Sequence, residues 1–360
     1  MEICPVSGRF PAIPFRFSQS LTDFSTQSRR MSPFCLKVPS NIFRSDADSG
    51  QLESRMFILG MGFVGQFFAK ELQRQRWVVS GTCTSIGKKK KLEEMGFDVY
   101  VFNANEPDPE VLNILNYHTH VLVSIPPVVG IGDLMLRHEE LLKNILTGGN
   151  LQWLCYLSST SVYGDRGGEW VDEDYPITPA SELAKARLVA EEGWLNLGCD
   201  LRLSTQIFRL GGIYGPGRSA IDTIIKQEPS SEVQKMRSSK RYTSRVHVAD
   251  ISQALNAAVH KPSLGKIYNI VDDDPSPRTE VFMFARNLIE KKWPGQIKQA
   301  RSLDRVESLM PKGSSRDGKR VSNARMKREL EVRLLHPDYR SGLQSIVEHI
   351  DDSFLYNPPS

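Results

Sequence analysis

The chain has 360 residues, 40% of them hydrophobic, with 46 basic and 42 acidic side chains and a formal charge of +4. Its mean hydropathy is −0.33 and it contains no long apolar run, which argues against a membrane span. Residues 1–50 hold six of the basic and four of the acidic side chains. The remaining body is close to neutral and makes no global case for binding nucleic acid.

Residues 1–45 contain eight serines, scattered prolines and only Glu2 and Asp23 as acids. They lack a continuous apolar stretch of the secretory kind. Serine-rich, arginine-bearing, acid-poor composition marks an organelle transit peptide, with a disordered tail as the alternative. No basic amphipathic helix opens the chain, so a plastid, the chloroplast stroma, is expected ahead of a mitochondrion. The five cysteines (Cys4, Cys35, Cys83, Cys155 and Cys199) form no C-x-x-C pair, which fits free thiols and offers no metal site.

The first structured stretch is Met56-Phe57-Ile58-Leu59-Gly60-Met61-Gly62-Phe63-Val64-Gly65. An apolar run enters three glycines spaced G-x-G-x-x-G, and an amphipathic segment follows. This reads as buried strand, tight turn and helix. Gly60 makes the turn, Gly62 admits a pyrophosphate close to the backbone, and Gly65 lets helix and strand pack closely. Free N–H groups at the helix start face the phosphates. Gly60, Gly62, Phe63, Val64 and Gly65 are therefore candidate cofactor residues. An ordinary glycine turn is the alternative, and the strand–turn–helix setting weighs against it.

Further along, strands are expected at 56–59, 77–82, 97–102, 120–125, 151–158 and 204–209, and helices at 63–75, 87–95, 132–147 and 179–197. This alternation implies an α/β, doubly wound parallel sheet covered on both faces. It assigns 54–210 to a dinucleotide-binding domain and 211–360 to a smaller C-terminal substrate lobe. Lys266–Val271 is expected to return to the sheet, and helices are expected at 278–292 and 340–352.

The second strand ends Ser80-Gly81-Thr82-Cys83-Thr84-Ser85 without the acid that usually holds the ribose hydroxyls of NAD. Lys88–Lys91 follow. Hydroxyls on Thr82, Thr84 and Ser85 beside cations suit a 2′-phosphate and favour NADP, with NAD left open and a solvated helix start as the alternative. The fourth strand ends Ser124-Ile125-Pro126, which should line the same cleft, since ligands bind outside the carboxyl ends of such strands.

Three later segments are Ser158-Ser159-Thr160-Ser161-Val162-Tyr163-Gly164, Gly215-Pro216-Gly217-Arg218 and Arg245-Val246-His247-Val248-Ala249-Asp250. Together with the glycine turn, and in this order, they make the chain resemble an extended short-chain dehydrogenase/reductase of the NAD-dependent epimerase/dehydratase group over roughly residues 56–350. The resemblance implies NAD(P)-dependent oxidoreductase, epimerase or dehydratase chemistry on a small carbonyl or nucleotide-sugar substrate. It further implies that Ser159 holds the carbonyl, that Lys185 binds the nicotinamide ribose, and that relatives dimerise through helices 132–147 and 179–197. The family's acid/base is a tyrosine four residues before the lysine. Here Ser181 stands there, at a spacing expected to share one helix face with Lys185.

A serine hydroxyl cannot replace a phenol of pKa near ~10. Three possibilities follow: Tyr163, Tyr175 or a water gives the proton; the chemistry needs no such acid; or the protein binds NADP(H) without turnover, as a regulatory or scaffold protein. Tyr163 itself reads first as core packing in the Val162-Tyr163-Gly164 turn. Arg218 is a candidate for meeting an anionic substrate, and Arg209 is expected to pair internally. His247 is read as structural and Asp250 as helping to cap the following helix. Two basic stretches (Lys235, Arg237, Lys240, Arg241, Arg245 and Arg316, Lys319, Arg320, Arg325, Lys327, Arg328) keep a third reading open, an organellar RNA-binding relative of the family.

Overall fold

The computed structural model describes residues 53–226, 240–295 and 318–350. The expected transit segment lies outside these residues. Strand β1 (Arg55–Leu59) runs into the glycine turn and α1 (Phe63–Arg74), which buries Val64, Gly65, Phe68, Ala69 and Leu72 on one face. Then come β2 (Val78–Cys83), α2 (Ile86–Glu94), β3 (Asp98–Val101), α3 (Pro109–Asn113) and β4 (His120–Val123). After them follow α4 (Glu139–Leu146), β5 (Trp153–Ser159), the two-residue β6 (Trp170–Val171), α5 (Glu182–Asp200) and β7 (Ser204–Leu210).

The C-terminal elements are β8 (Gly212–Tyr214), α6 (Ala220–Ile225), β9 (Arg245–His247), α7 (Val248–His260) and β10 (Lys266–Ile270). The last are α8 (Arg278–Lys292), β11 (Arg320–Val321), α9 (Ala324–Glu329) and α10 (Tyr339–His349).

Seven strands form one sheet in the order β10-β7-β5-β4-β1-β2-β3, every pairing parallel. Alternation along β1 divides the core. Met56 and Ile58 pack with α1 and α7 on one face, and Phe57 and Leu59 pack with α4 and α5 on the other. The doubly wound sheet is thus present, and β10 joins its edge as expected. Residues of α6, α8 and α10 build a separate hydrophobic cluster around Ile221, Ala285 and Leu343.

Two helices differ from expectation. The stretch from 132 becomes α-helical only at Glu139. Gly130 and Gly132 adopt positive φ, and the Asp133 carboxylate accepts from the backbone N–H of Met135 and Leu136, a local alternative to the helix. Helix α5 begins at Glu182, not 179, because Ser181 is extended (φ −120°) and acts as its N-cap.

Candidate functional site

The glycine turn is held from beneath. The N–H of Gly60 donates to Thr82 Oγ1 at 2.9 Å, and that of Met61 to the Thr82 carbonyl at 2.7 Å. Gly60 sits at φ +99°, where a side chain would be strained. A Cβ on Gly65 would lie 2.8 Å from the Gly60 carbonyl oxygen, so only glycine permits this helix–strand approach. Around Gly62 the situation is opposite: a Cβ there would meet nothing within 4 Å. The first turn of α1 has no side-chain cap and no acid. Open space in front of bare N–H groups at a helix start fits a pyrophosphate. Ile125 closes one side, its Cγ1 3.2 Å from where a Gly60 Cβ would be, so Ser124–Pro126 border the turn. Val64 faces the core.

The end of β2 requires a correction. Thr82 is buried, and its hydroxyl supports Gly60 instead of reaching toward a ribose. Thr84 and Ser85 are exposed, and Ser85 Oγ accepts from the Lys88 N–H to cap α2. Lys89 is tied to Glu93 and to the Val99 carbonyl. The first turn of α2 carries no acid, so its dipole meets only cations.

At the end of β5, Ser159 is half-buried and caps the 3-10 turn Thr160–Tyr163 by accepting from the Ser161 N–H at 3.2 Å. Its own hydroxyl proton is free for a ligand. Ser181 and Lys185 do not share a helix face. Ser181 lies outside α5 and its Oγ accepts from the Ala184 N–H at 3.2 Å. Lys185 is exposed and pairs with Glu182 at 2.8 Å. The buried face of α5 instead runs through Ala184, Glu191, Trp194 and Gly198. Half-buried Arg187 stands one turn before Glu191 on α5.

Neither tyrosine proposed as proton donor is free. The Tyr163 hydroxyl donates to Asn269 Oδ1 at 2.8 Å and accepts from Arg209 at 2.9 Å, and burial pushes its pKa up to about 12. The Tyr175 hydroxyl donates to Glu169, which raises its pKa. Arg209 pairs internally as expected, with Glu191 at 2.7 Å, both fully buried. His247 caps α7 by accepting from the Ala249 N–H, and burial, then His336, lowers its pKa to about 3. Asp250 ties down the C-terminal loop by accepting from the N–H groups of Leu335 and His336, a different job from the expected cap.

A cavity of about 330 Å³ opens beside the cluster formed by α6, α8 and α10. It is lined by four cations, Arg218, Lys226, Arg245 and Arg278, and one acid, Asp222, which accepts from Ser219 Oγ. Arg245 is buried, held by the Ser276 carbonyl at 2.6 Å and stacked on Tyr339. These residues come from β8, α6, β9, α8 and α10, so only folding assembles them. Of the basic stretches, Arg325 pairs with Asp174, Lys327 with Asp273 and Arg328 with Glu329, while Arg320 lies between Trp170 and Tyr242. Lys235, Arg237 and Arg316 fall outside the described residues. Among the described residues no cluster of His, Cys, Asp or Glu could hold a metal ion, and no helix is long and apolar enough to cross a membrane.

Residues 137–271 match the model of the NAD dependent epimerase/dehydratase family. That segment is therefore of the epimerase/dehydratase type, and the parallel seven-stranded sheet around it is Rossmann-like. The chain is 28% identical over 293 residues to Protein YeeZ of Escherichia coli K12, covering 79% of this chain and 97% of that protein. A functionally unknown conserved protein from Silicibacter pomeroyi superimposes with a TM-score of 0.64 at 29% identity, over 82% of this chain and 98% of the other. UDP-glucuronic acid 4-epimerase from Bacillus cereus, in complex with NAD, shares the fold at 15% identity and a TM-score of 0.61, over 85% of this chain and 99% of the epimerase.

Proposed function

We propose that the protein binds NADP(H) across the glycine turn and acts on a small anionic carbonyl compound, such as a nucleotide sugar, held in the C-terminal cavity. The observation that carries this reading is the pairing of an open, N–H-lined turn at Gly62 with a cavity that has four cations for one acid. NADP over NAD is supported by the acid-free end of β2 and by the lysines at the start of α2, where a 2′-phosphate would find both N–H groups and positive charge. The bound dinucleotide would supply or accept hydride. Gly60, Gly62 and Gly65 shape its seat, and Ser159 orients the carbonyl through its free hydroxyl proton.

A second reading, an NADP(H)-binding regulatory or scaffold protein, is favoured by one observation: the serine at the usual tyrosine position is used as a helix cap. Titrating the full chain with NADPH and NADH by fluorescence, then screening UDP-sugars for turnover, separates the two. NADPH binding with turnover lost in Ser159→Ala supports the enzyme. Binding without turnover supports the second reading, and no affinity for either dinucleotide overturns both. The RNA reading would show itself as binding that weakens steeply with salt.

The proposal extends to place and assembly. Composition of residues 1–50 supports action in the plastid stroma after their removal. Exposed Val189 and Leu183 on α5 support a homodimer. Import and sedimentation assays test these two points.

A further inference from the structure

Arg218 stands at the junction of the two ligand sites. It closes the turn Gly215–Arg218, whose ends exchange backbone hydrogen bonds of 3.1 and 3.0 Å, with Gly217 at φ +80°. This turn is pressed onto the dinucleotide seat: a Cβ on Gly215 would lie 3.2 Å from Phe63 Cζ. The guanidinium carbon of Arg218 lies 5.5 Å from the centroid of the Phe63 ring. Phe63 is the first residue of α1, so the cation rests on a side chain carried by the helix start assigned above to the dinucleotide. Arg218 also lines the cationic cavity. It is exposed, and among the described residues no carboxylate pairs with it. A guanidinium offers five donors in a planar fork and engages oxygens of two anions at once, which a single ammonium does less well.

We propose that Arg218 is a shared clamp that couples the two sites, so that a phosphate-bearing ligand in the cavity tightens the dinucleotide and the dinucleotide tightens that ligand. This rests on the reading of the two sites given above. Two anions brought together repel each other, and a cation held on Phe63 between them reverses the sign of that effect. The first ligand also fixes the side chain that the second one uses, so the second binds to an ordered partner. The coupling must be reciprocal.

The test is calorimetric titration of the full chain with NADPH, without and with saturating UDP, and with UDP, without and with NADPH. UDP is expected to lower the NADPH dissociation constant about tenfold, and NADPH to lower that of UDP by the same factor. In Arg218→Ala both ligands still bind, each several-fold more weakly, and the coupling factor falls to one. Arg218→Lys retains part of it. A wild-type protein that binds both ligands independently or antagonistically overturns the clamp and leaves the site assignments standing. So does an Arg218→Ala variant with the wild-type coupling factor. Failure of NADPH alone to bind overturns the functional reading and the clamp with it. Failure of UDP alone to bind overturns the cavity assignment and the clamp, and leaves the dinucleotide seat intact.

Discussion

The glycine turn and the start of α5 are the two stretches on which the sequence places candidate ligand-binding groups, and the structure treats them differently. At Gly60–Gly65 the candidate binding elements are backbone N–H groups, and what Gly60 and Gly65 each require is the absence of a side chain. At α5 the binding elements are side chains. There the serine caps a helix, the lysine pairs with Glu182 in solvent, and Tyr163 is locked by Arg209 and Asn269. A cradle made of backbone persists as long as the fold does, whereas a side chain with a structural partner is tied to that partner.

That contrast is sharpest at the buried Arg209–Glu191 pair behind α5. Arg209→Ala should leave Glu191 buried and unpaired and cost about 3–5 kcal/mol in urea unfolding. A loss below 1 kcal/mol would mean that this side of the site is not organised around the pair. Next in size is Gly65→Val. Overpacking against the Gly60 carbonyl and Ile58 should cost about 1–3 kcal/mol and remove NADPH binding as read by fluorescence. Retained affinity would break the claim that the cradle is a backbone device.

The pH dependence separates His247 from its surroundings. Its pKa is 6.5 when free and about 3 when folded, so below 6.5 the unfolded chain takes a proton that the folded one refuses. Its stabilisation is complete above pH 6.5 and falls as pH is lowered. Asp250, raised by burial from 3.8 to about 6, works in the opposite sense and loses stabilisation as pH rises across that range. His247→Asn keeps an acceptor for the cap and should cut the loss of stability between pH 7 and 5 by about 2 kcal/mol relative to wild type, measured by thermal or urea unfolding.

The smallest effects belong to the two residues expected to form the catalytic face. Ser181→Ala should cost about 1 kcal/mol through the lost cap. Lys185→Ala should stay within about 0.5 kcal/mol, with NADPH affinity unchanged in the same titration. A large fall in affinity for Lys185→Ala would return that side chain to the cofactor site. Ser181→Tyr should not create a reductase, because the position precedes the helix and offers no place on its buried face.

Much of this was readable before folding. The glycine spacing, the apolar run of β1 and the alternation of strand and helix patterns located the sheet, the turn and the return of β10, because periodicity and glycine geometry are local properties. Thr82 was misread because a hydroxyl at a strand end has two possible directions, and only the packing of β2 under Gly60 selects one. Ser181 was misread because a serine beside a helix start serves equally as a helix residue and as a cap.

What the amino-acid order determines by itself is the fold class, the glycine turn and the absence of an acid at the end of β2, since each follows from neighbours in the chain. The cationic cavity, the Arg218–Phe63 contact and the capture of Tyr163 belong to tertiary structure alone. Tyr163 and Arg209 are 46 positions apart and Phe63 and Arg218 are 155 apart, and nothing short of chain packing sets those distances.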